Sequence, residues 1–162
     1  MQIELRLKAA SDFATRAYNS DEDDVRSILI DVCRAAGSQS EFVFSGFGQQ
    51  RWPVDVGTDL PVFLEQLPSA LRAVNQKMTA AVGFYEQGIQ RSIMFEPSGR
   101  RYIATCASQT DWQPNPVTED IPGEELADML LAAREAFMSV LAEMAPDLAK
   151  HPWIRNWLRG LE

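Results

Sequence analysis

The chain reads as an α+β domain, an antiparallel sheet of about five strands with helices packed on one face. Three observations predict this. The chain opens with period-two alternation, Ile3, Leu5 and Leu7 against Glu4, Arg6 and Lys8, as in a half-buried strand. Between Thr79 and Ala107, three short apolar runs are separated only by the turn signals Glu86-Gln87-Gly88 and Glu96-Pro97-Ser98-Gly99. That spacing predicts a β-meander and therefore antiparallel pairing. From Glu124 to Met144, apolar residues recur at steps of three and four, the period of an amphipathic helix.

In chain order, the first strand is followed by a connection of mixed periodicity, Ala9 to Asn19. Ser20 then offers an N-cap, Asp21-Glu22-Asp23-Asp24 fill a first turn, and Val25, Ile28, Leu29, Val32 and Ala36 carry a helix that Gly37 ends. Glu41 to Phe47 is a short aromatic strand, ended or bulged by Gly46 and Gly48. A connection from Gln49 to Gly57 contains Trp52-Pro53. Thr58 caps a second helix with Leu60, Phe63, Leu64 and Leu67 on its apolar stripe. Pro68 should break or kink that helix, because it lacks the N–H that would bond four residues back. After the meander, Ser108 to Gly123 reads as a long structureless polar connection carrying Trp112; such loops inside a domain are uncommon and tend to be functional or mobile. The long helix follows, with acids in its first turn as the helix dipole prefers. A short terminal helix from Pro152 to Arg159 carries Trp153, Ile154, Trp157 and Leu158.

Length and charge bound the rest. The chain has 162 residues, 15 Lys+Arg against 23 Asp+Glu, and a net charge of −8. That fits one domain over 1–160, with Leu161-Glu162 reading as a cloning scar. An acidic surface is repelled by duplex phosphates, so nucleic acid is an unsuitable partner. No apolar run is long enough to span a bilayer. Cys33 and Cys106 form no CxxC pair, and a single histidine, His151, offers nothing to complete a zinc site, so no metal or cofactor is expected. Nothing from Met1 to Lys8 resembles a signal peptide, and the cytoplasm follows as the expected compartment.

The residues with chemical potential each have an ordinary structural reading beside the functional one. Asp21 to Asp24 are consecutive, without the alternation and central glycine of a calcium loop, and suit a helix N-terminus better. Trp52, Asp55 and Asp59 lie between a strand and a helix; they make either a binding or acid–base patch, or a plug for the sheet edge with capping acids. Trp112, beside Asp111, Pro114 and Pro116, is either a stiff contact residue or a lid on the core. Trp153 and Trp157 share one helical face and dock the terminal helix. There is no GxSxG, phosphate loop or HExxH, and Gly46-Phe47-Gly48 is too bare a motif for a nucleotide. Charge is uneven: from Arg72 to Arg101 five bases meet two acids, whereas from Glu119 to Glu143 seven acids meet Arg134 alone. An acidic face of that kind is either simply solvated or steers a basic partner.

This profile, an acidic α+β chain without a catalytic signature, with aromatic-bearing loops (Trp52, Trp112) and a long acidic helix before a Trp-rich cap, resembles the small immunity proteins that neutralise bacterial polymorphic and contact-dependent toxins. The resemblance implies a non-catalytic bacterial protein that binds a cognate toxin and blocks it. Trp52 and Trp112 would then be the anchors, and Asp55, Asp59, Glu119 and Asp120 would face toxin cations. Two other readings stand beside it. One is a secretion chaperone holding an effector segment, which would usually dimerise; the other is a small ligand-binding or enzymatic domain with a pocket between sheet and helices. Monomer and dimer are both open.

Overall fold

The computed structural model describes residues 1–86 and 88–161. Gln87 of the expected meander turn and Glu162 of the expected scar lie outside the described residues. Strand β1 (Gln2–Arg6) pairs antiparallel with β2 (Glu41–Ser45), placing Ile3 opposite Phe44 and Leu5 opposite Phe42. Strands β3 (Ala80–Phe84), β4 (Arg91–Ser98), β5 (Arg101–Ser108) and β6 (Thr118–Pro122) form a second antiparallel sheet in that order. The fold is α+β, with six strands divided between two sheets where the sequence pointed to about five in one. The division has a local cause. The free edge of β3 is occupied at Gly83, whose N–H and carbonyl both bond the Gln66 side-chain amide at 2.8 Å, so no strand is accepted there.

Four helices cover one side of these sheets. Helix α1 (Val25–Ala36) begins later than Ser20: its cap is Asp24, which accepts the Arg26 N–H at 2.8 Å. The acids before it form a turn instead of a helical start, because Arg16 pairs with Asp23 at 2.6 Å and with Asp31 at 2.8 Å. That guanidinium and the Asn19 N–H hold the Asp23 carboxyl well below the usual carboxylate range. Gly37 ends α1 as expected, though in right-handed conformation, leading into a 3-10 turn over Gly37–Gln39.

Helix α2 (Asp59–Asn75) runs through Pro68 unbroken. The expected break came from the lost N–H, which leaves the Leu64 carbonyl without its helical donor. The structure supplies another donor: Trp157 Nε1 donates to that carbonyl at 2.7 Å. Helix α3 (Gly123–Met144) buries Leu126, Leu130, Ala133, Phe137 and Leu141, and α4 (Pro152–Leu158) docks through Ile154 and Trp157, the latter edge-to-face with Phe137.

Strand alternation decides where the core sits. Ala80, Val82 and Phe84 of β3, Ile93 and Phe95 of β4, and Tyr102, Ala104 and Cys106 of β5 turn toward the helices, while the opposite face of that sheet meets solvent. Phe42 and Phe44 of β2 pack against Phe84, and Phe42 also meets Phe63 of α2, so one aromatic cluster joins both sheets to a helix. Each such side chain contributes roughly 1.5–3 kcal/mol by leaving water. The segment expected to be structureless, Ser108 to Gly123, contains β6: Ile121 faces Tyr102 across the ladder and is buried. Among the described residues, no helix is long and apolar enough to cross a membrane.

Candidate functional site

Two irregular segments converge at one end of the four-stranded sheet. After β2 the chain reverses at Gly46–Gln49, and the Trp52 N–H returns to the Phe44 carbonyl at 2.8 Å. This fold-back inserts the indole into the core, where it packs on Phe44 and Phe84, and Trp52 is only 1% exposed. Across from it, the segment between β5 and β6 is held by Gln109 N–H to the Gln90 carbonyl at 2.9 Å and Asn115 N–H to the Phe47 carbonyl at 3.0 Å. The approach at Asn115 is close enough to require glycine opposite: Gly48 has φ +82, and a Cβ there would collide with the Asn115 carbonyl. The half-buried Trp112 thereby comes to lie edge-on to Trp52, ring centres 5.8 Å apart.

Between the two indoles lies Arg91. Its guanidinium carbon is 4.5 Å from the Trp52 ring centre and 3.6 Å from that of Trp112. Nη1 donates to Gln49 Oε1 at 2.7 Å, and Nε has no partner. The residue is 4% exposed, and among the described residues no carboxylate lies within 4 Å of it. Burial pushes its pKa down, because the charged form has lost water without gaining an anion. Two cation–π contacts, each about 0.5–2 kcal/mol, offset part of that cost. Arg91 fastens the Trp112 segment to the core. Sequence reasoning did not single it out, although it shares the inward parity of Ile93 and Phe95.

The six expected contact residues separate into three places. Trp52, Trp112 and Glu119 gather around Arg91 and the Gly46–Gln49 turn. Glu119 accepts the Phe47 N–H, and the Met1 amine lies 2.8 Å from its other oxygen. Asp120, one residue on, faces the other side of the sheet and pairs with Arg101 at 2.6 Å. Asp55 and Asp59 sit together at the start of α2. Asp55, not Thr58, does the capping: its Oδ1 accepts the Thr58 N–H at 2.7 Å and its carbonyl accepts the Leu60 N–H at 3.1 Å. Asp59 accepts the Asp55 N–H at 2.9 Å, is 4% exposed, and is pushed up to about 6, chiefly by burial. Trp52 and Asp59 are therefore interior groups and offer no surface to a partner, whereas Asp55, Trp112, Glu119 and Asp120 keep some exposure.

Both thiols are buried, and one ring nitrogen of the histidine is engaged. Burial pushes the Cys106 thiol up to about 11 and the Cys33 thiol higher still, so both stay protonated and unreactive near neutrality. His151 Nδ1 accepts the Trp153 N–H at 3.3 Å. Among the described residues, no three His, Cys, Asp or Glu side chains converge as metal ligands would. On α3, Glu125, Asp128, Glu135 and Glu143 are exposed and, among the described residues, have no cation within 4 Å. Searches against protein-family models, curated proteins and solved structures each find no significant match to this chain.

Proposed function

We propose that the chain is a non-catalytic binding protein, an immunity-type inhibitor that neutralises a basic protein toxin by direct contact. The observation that carries this reading is the solvent face of α3. From Glu125 to Glu143 the helix rises about 27 Å, and along it four exposed carboxylates stand without a cation. Other surface acids are paired, as in Arg6 with Glu4 and Glu41, Arg16 with Asp23 and Asp31, and Arg26 with Glu65. An uncompensated stripe of this length raises the local concentration of a cationic partner and speeds its docking.

A second feature supports binding over catalysis. The Trp112 segment is irregular yet pinned by Arg91, Gln90 and Phe47, with Asp111 and Val117 exposed beside the half-buried indole. A segment already held in shape loses little entropy on docking. The contact set then comprises the α3 carboxylates with Trp112, Asp55 and Glu119; Asp120, on the opposite face of the sheet and paired with Arg101, lies outside it.

The test is recovery of the tagged chain from its native host at low and moderate salt, beside the variant E125Q/D128N/E135Q/E143Q. The expected result is one stoichiometric basic protein, released by moderate salt and not held by the variant. A partner retained equally by the variant refutes the role of α3. Unfolded secretion substrates in its place would identify a chaperone, and an empty recovery at both salts would refute a binding function.

A further inference from the structure

A cleft of about 500 Å³ opens where the start of α1, the middle of α2 and α4 meet, and no described residue of α3 or of the sheets lines it. That size suits a small organic molecule. Val25, Pro68, Trp153 and Trp157 give the cleft apolar walls. These walls are set before any ligand arrives. The Tyr18 ring meets Trp153 edge-on at 6.4 Å and the His151 ring does so at 4.7 Å, while Trp157 is held by its bond to the Leu64 carbonyl. Trp153 is nonetheless only half-buried, and a ring already fixed in place loses little entropy when a ligand packs on it.

We propose that this cleft binds a small organic cation, a protonated amine carried on an apolar ring. Its polar groups select that chemistry. Among the described residues Arg26 is the one cation in the lining, and it is spent: Nε meets Glu65 at 3.0 Å, and Nη2 donates to the Tyr85 hydroxyl at 2.8 Å. Both carboxylates of the lining keep an oxygen free. Glu65 uses Oε2 for Arg26 and Tyr85, and Asp24 uses Oδ1 for the Arg26 N–H; Oε1 and Oδ2 have no partner among the described residues. The dipole of α1, positive at this end, is already answered by the Asp24 cap. What remains unspent is therefore acceptors and indole surface, and both attract a cation. An anionic ligand would meet the same oxygens with no free cation to answer it.

The probe is phenethylamine, compared at neutral pH with hydrocinnamate, which carries a carboxylate on a ring and chain of like size, and with uncharged phenethyl alcohol. Titration of the full chain to about 10 mM covers the affinity expected of so small a ligand, a Kd on the order of 1 mM. Proton–nitrogen correlation spectra read binding at the Trp153 indole and the Asn156 amide, both in the lining. The expected result is a saturable shift with the amine, binding about fivefold weaker with the alcohol, and none with hydrocinnamate. Asp24→Asn keeps the helix cap and removes the charge, so it should weaken the amine about fivefold and leave the alcohol unchanged. Trp153→Leu keeps an apolar wall without the ring and should weaken the amine as much, read at Asn156. Glu96→Gln, the same loss of charge at an exposed position on β4, should bind as the parent does and so controls for the general pull of a chain at −8. No saturable shift with the amine, equal binding of hydrocinnamate, or equal affinities in Asp24→Asn and Glu96→Gln overturns the inference. None of these outcomes depends on whether a toxin binds α3.

Discussion

Replacing Asp59 by asparagine should stabilise the protein at neutral pH, and the gain should vanish in acid. The carboxylate is buried at the start of α2 and faces the negative charges of Asp55 and Glu86; its one compensation is the Asp55 N–H at 2.9 Å. Its pKa is raised from 3.8 to about 6. Below the lower value both folded and unfolded chains hold the proton, and the group costs nothing. Between the two values the folded chain holds a proton that the unfolded chain has released, so stability falls as pH rises. Above the upper value the loss is complete. At about 1.4 kcal/mol per pH unit, the span amounts to roughly 3 kcal/mol.

Asparagine has the shape of the neutral acid and keeps an oxygen for the Asp55 N–H. Its extra N–H needs a partner, which holds the net gain to about 2 kcal/mol. Urea unfolding of both proteins at half-unit steps from pH 4 to 8 reads the difference directly. It should be near zero at pH 4, grow through the window from 3.8 to about 6, and stay level beyond it. Carboxylates held low by partners, such as Asp23 beside Arg16, lose stability in acid in both proteins and cancel in the comparison. A variant less stable than the parent at pH 7.5, or a difference that does not change with pH, would show that burial does not disfavour this charge.

Two further predictions concern polar groups that the core holds at some cost. Trp157→Phe removes the donor to the Leu64 carbonyl and should cost about 1–3 kcal/mol, but much less in a Pro68→Ala background, where the helix regains its own N–H; equal costs in both backgrounds, measured by a double-mutant cycle in urea, would refute the link. Arg91→Met keeps a flexible chain between the indoles and removes the uncompensated cation, so unfolding should show it unchanged or stabilised by about 1 kcal/mol, whereas Arg91→Ala should lose about 2–4 kcal/mol and release Trp112, seen as a red shift in its emission; a methionine variant as unstable as the alanine one would show that the charge itself is what holds the segment.

What was legible in the sequence was what a local period records. Helices α1 and α3 and the meander follow from spacing alone, because each buries one face and that face has to recur in the chain. Strand β6 escaped because it is a polar edge strand: Ile121 is its one fully buried residue, and its outward positions are Thr118 and Asp120, so no alternation announces it. Pro68 escaped because its effect is decided by an indole from the far end of the chain. Arg91 is the instructive case. Parity placed it inside and charge placed it outside, and neither rule outranks the other within β4; the stacking rings of Trp52 and Trp112, from two other segments, settle the conflict. The expected contact residues dispersed for a related reason. Nearness along the chain grouped Glu119 with Asp120, yet successive strand residues face opposite ways, and only Glu119 reaches the Trp112 cluster.

The acids of α3 separate into two kinds when weighed against the helix that carries them. Glu124 and Glu125 stand in the first turn, where the dipole welcomes a negative charge, and stability alone explains them. Glu143 stands in the last turn, where the dipole opposes it and a cation would be favoured, yet that turn has no basic residue. Asp128 follows Glu124 by four and Glu125 by three, and like charges at those spacings repel by about 0.2–0.5 kcal/mol per pair. Glu135 and Glu143 lie outside the first turn, and none of the three, Asp128 included, has a cation within reach among the described residues. Solubility does not require this arrangement, since a net charge of −8 dispersed over the surface would serve it as well. Neutralising Asp128 and Glu143 should therefore make the free protein more stable, by a few tenths of a kcal/mol each, read by urea unfolding. A surface kept in a form that weakens its own helix supports the proposed binding role of α3 better than the composition of the chain does.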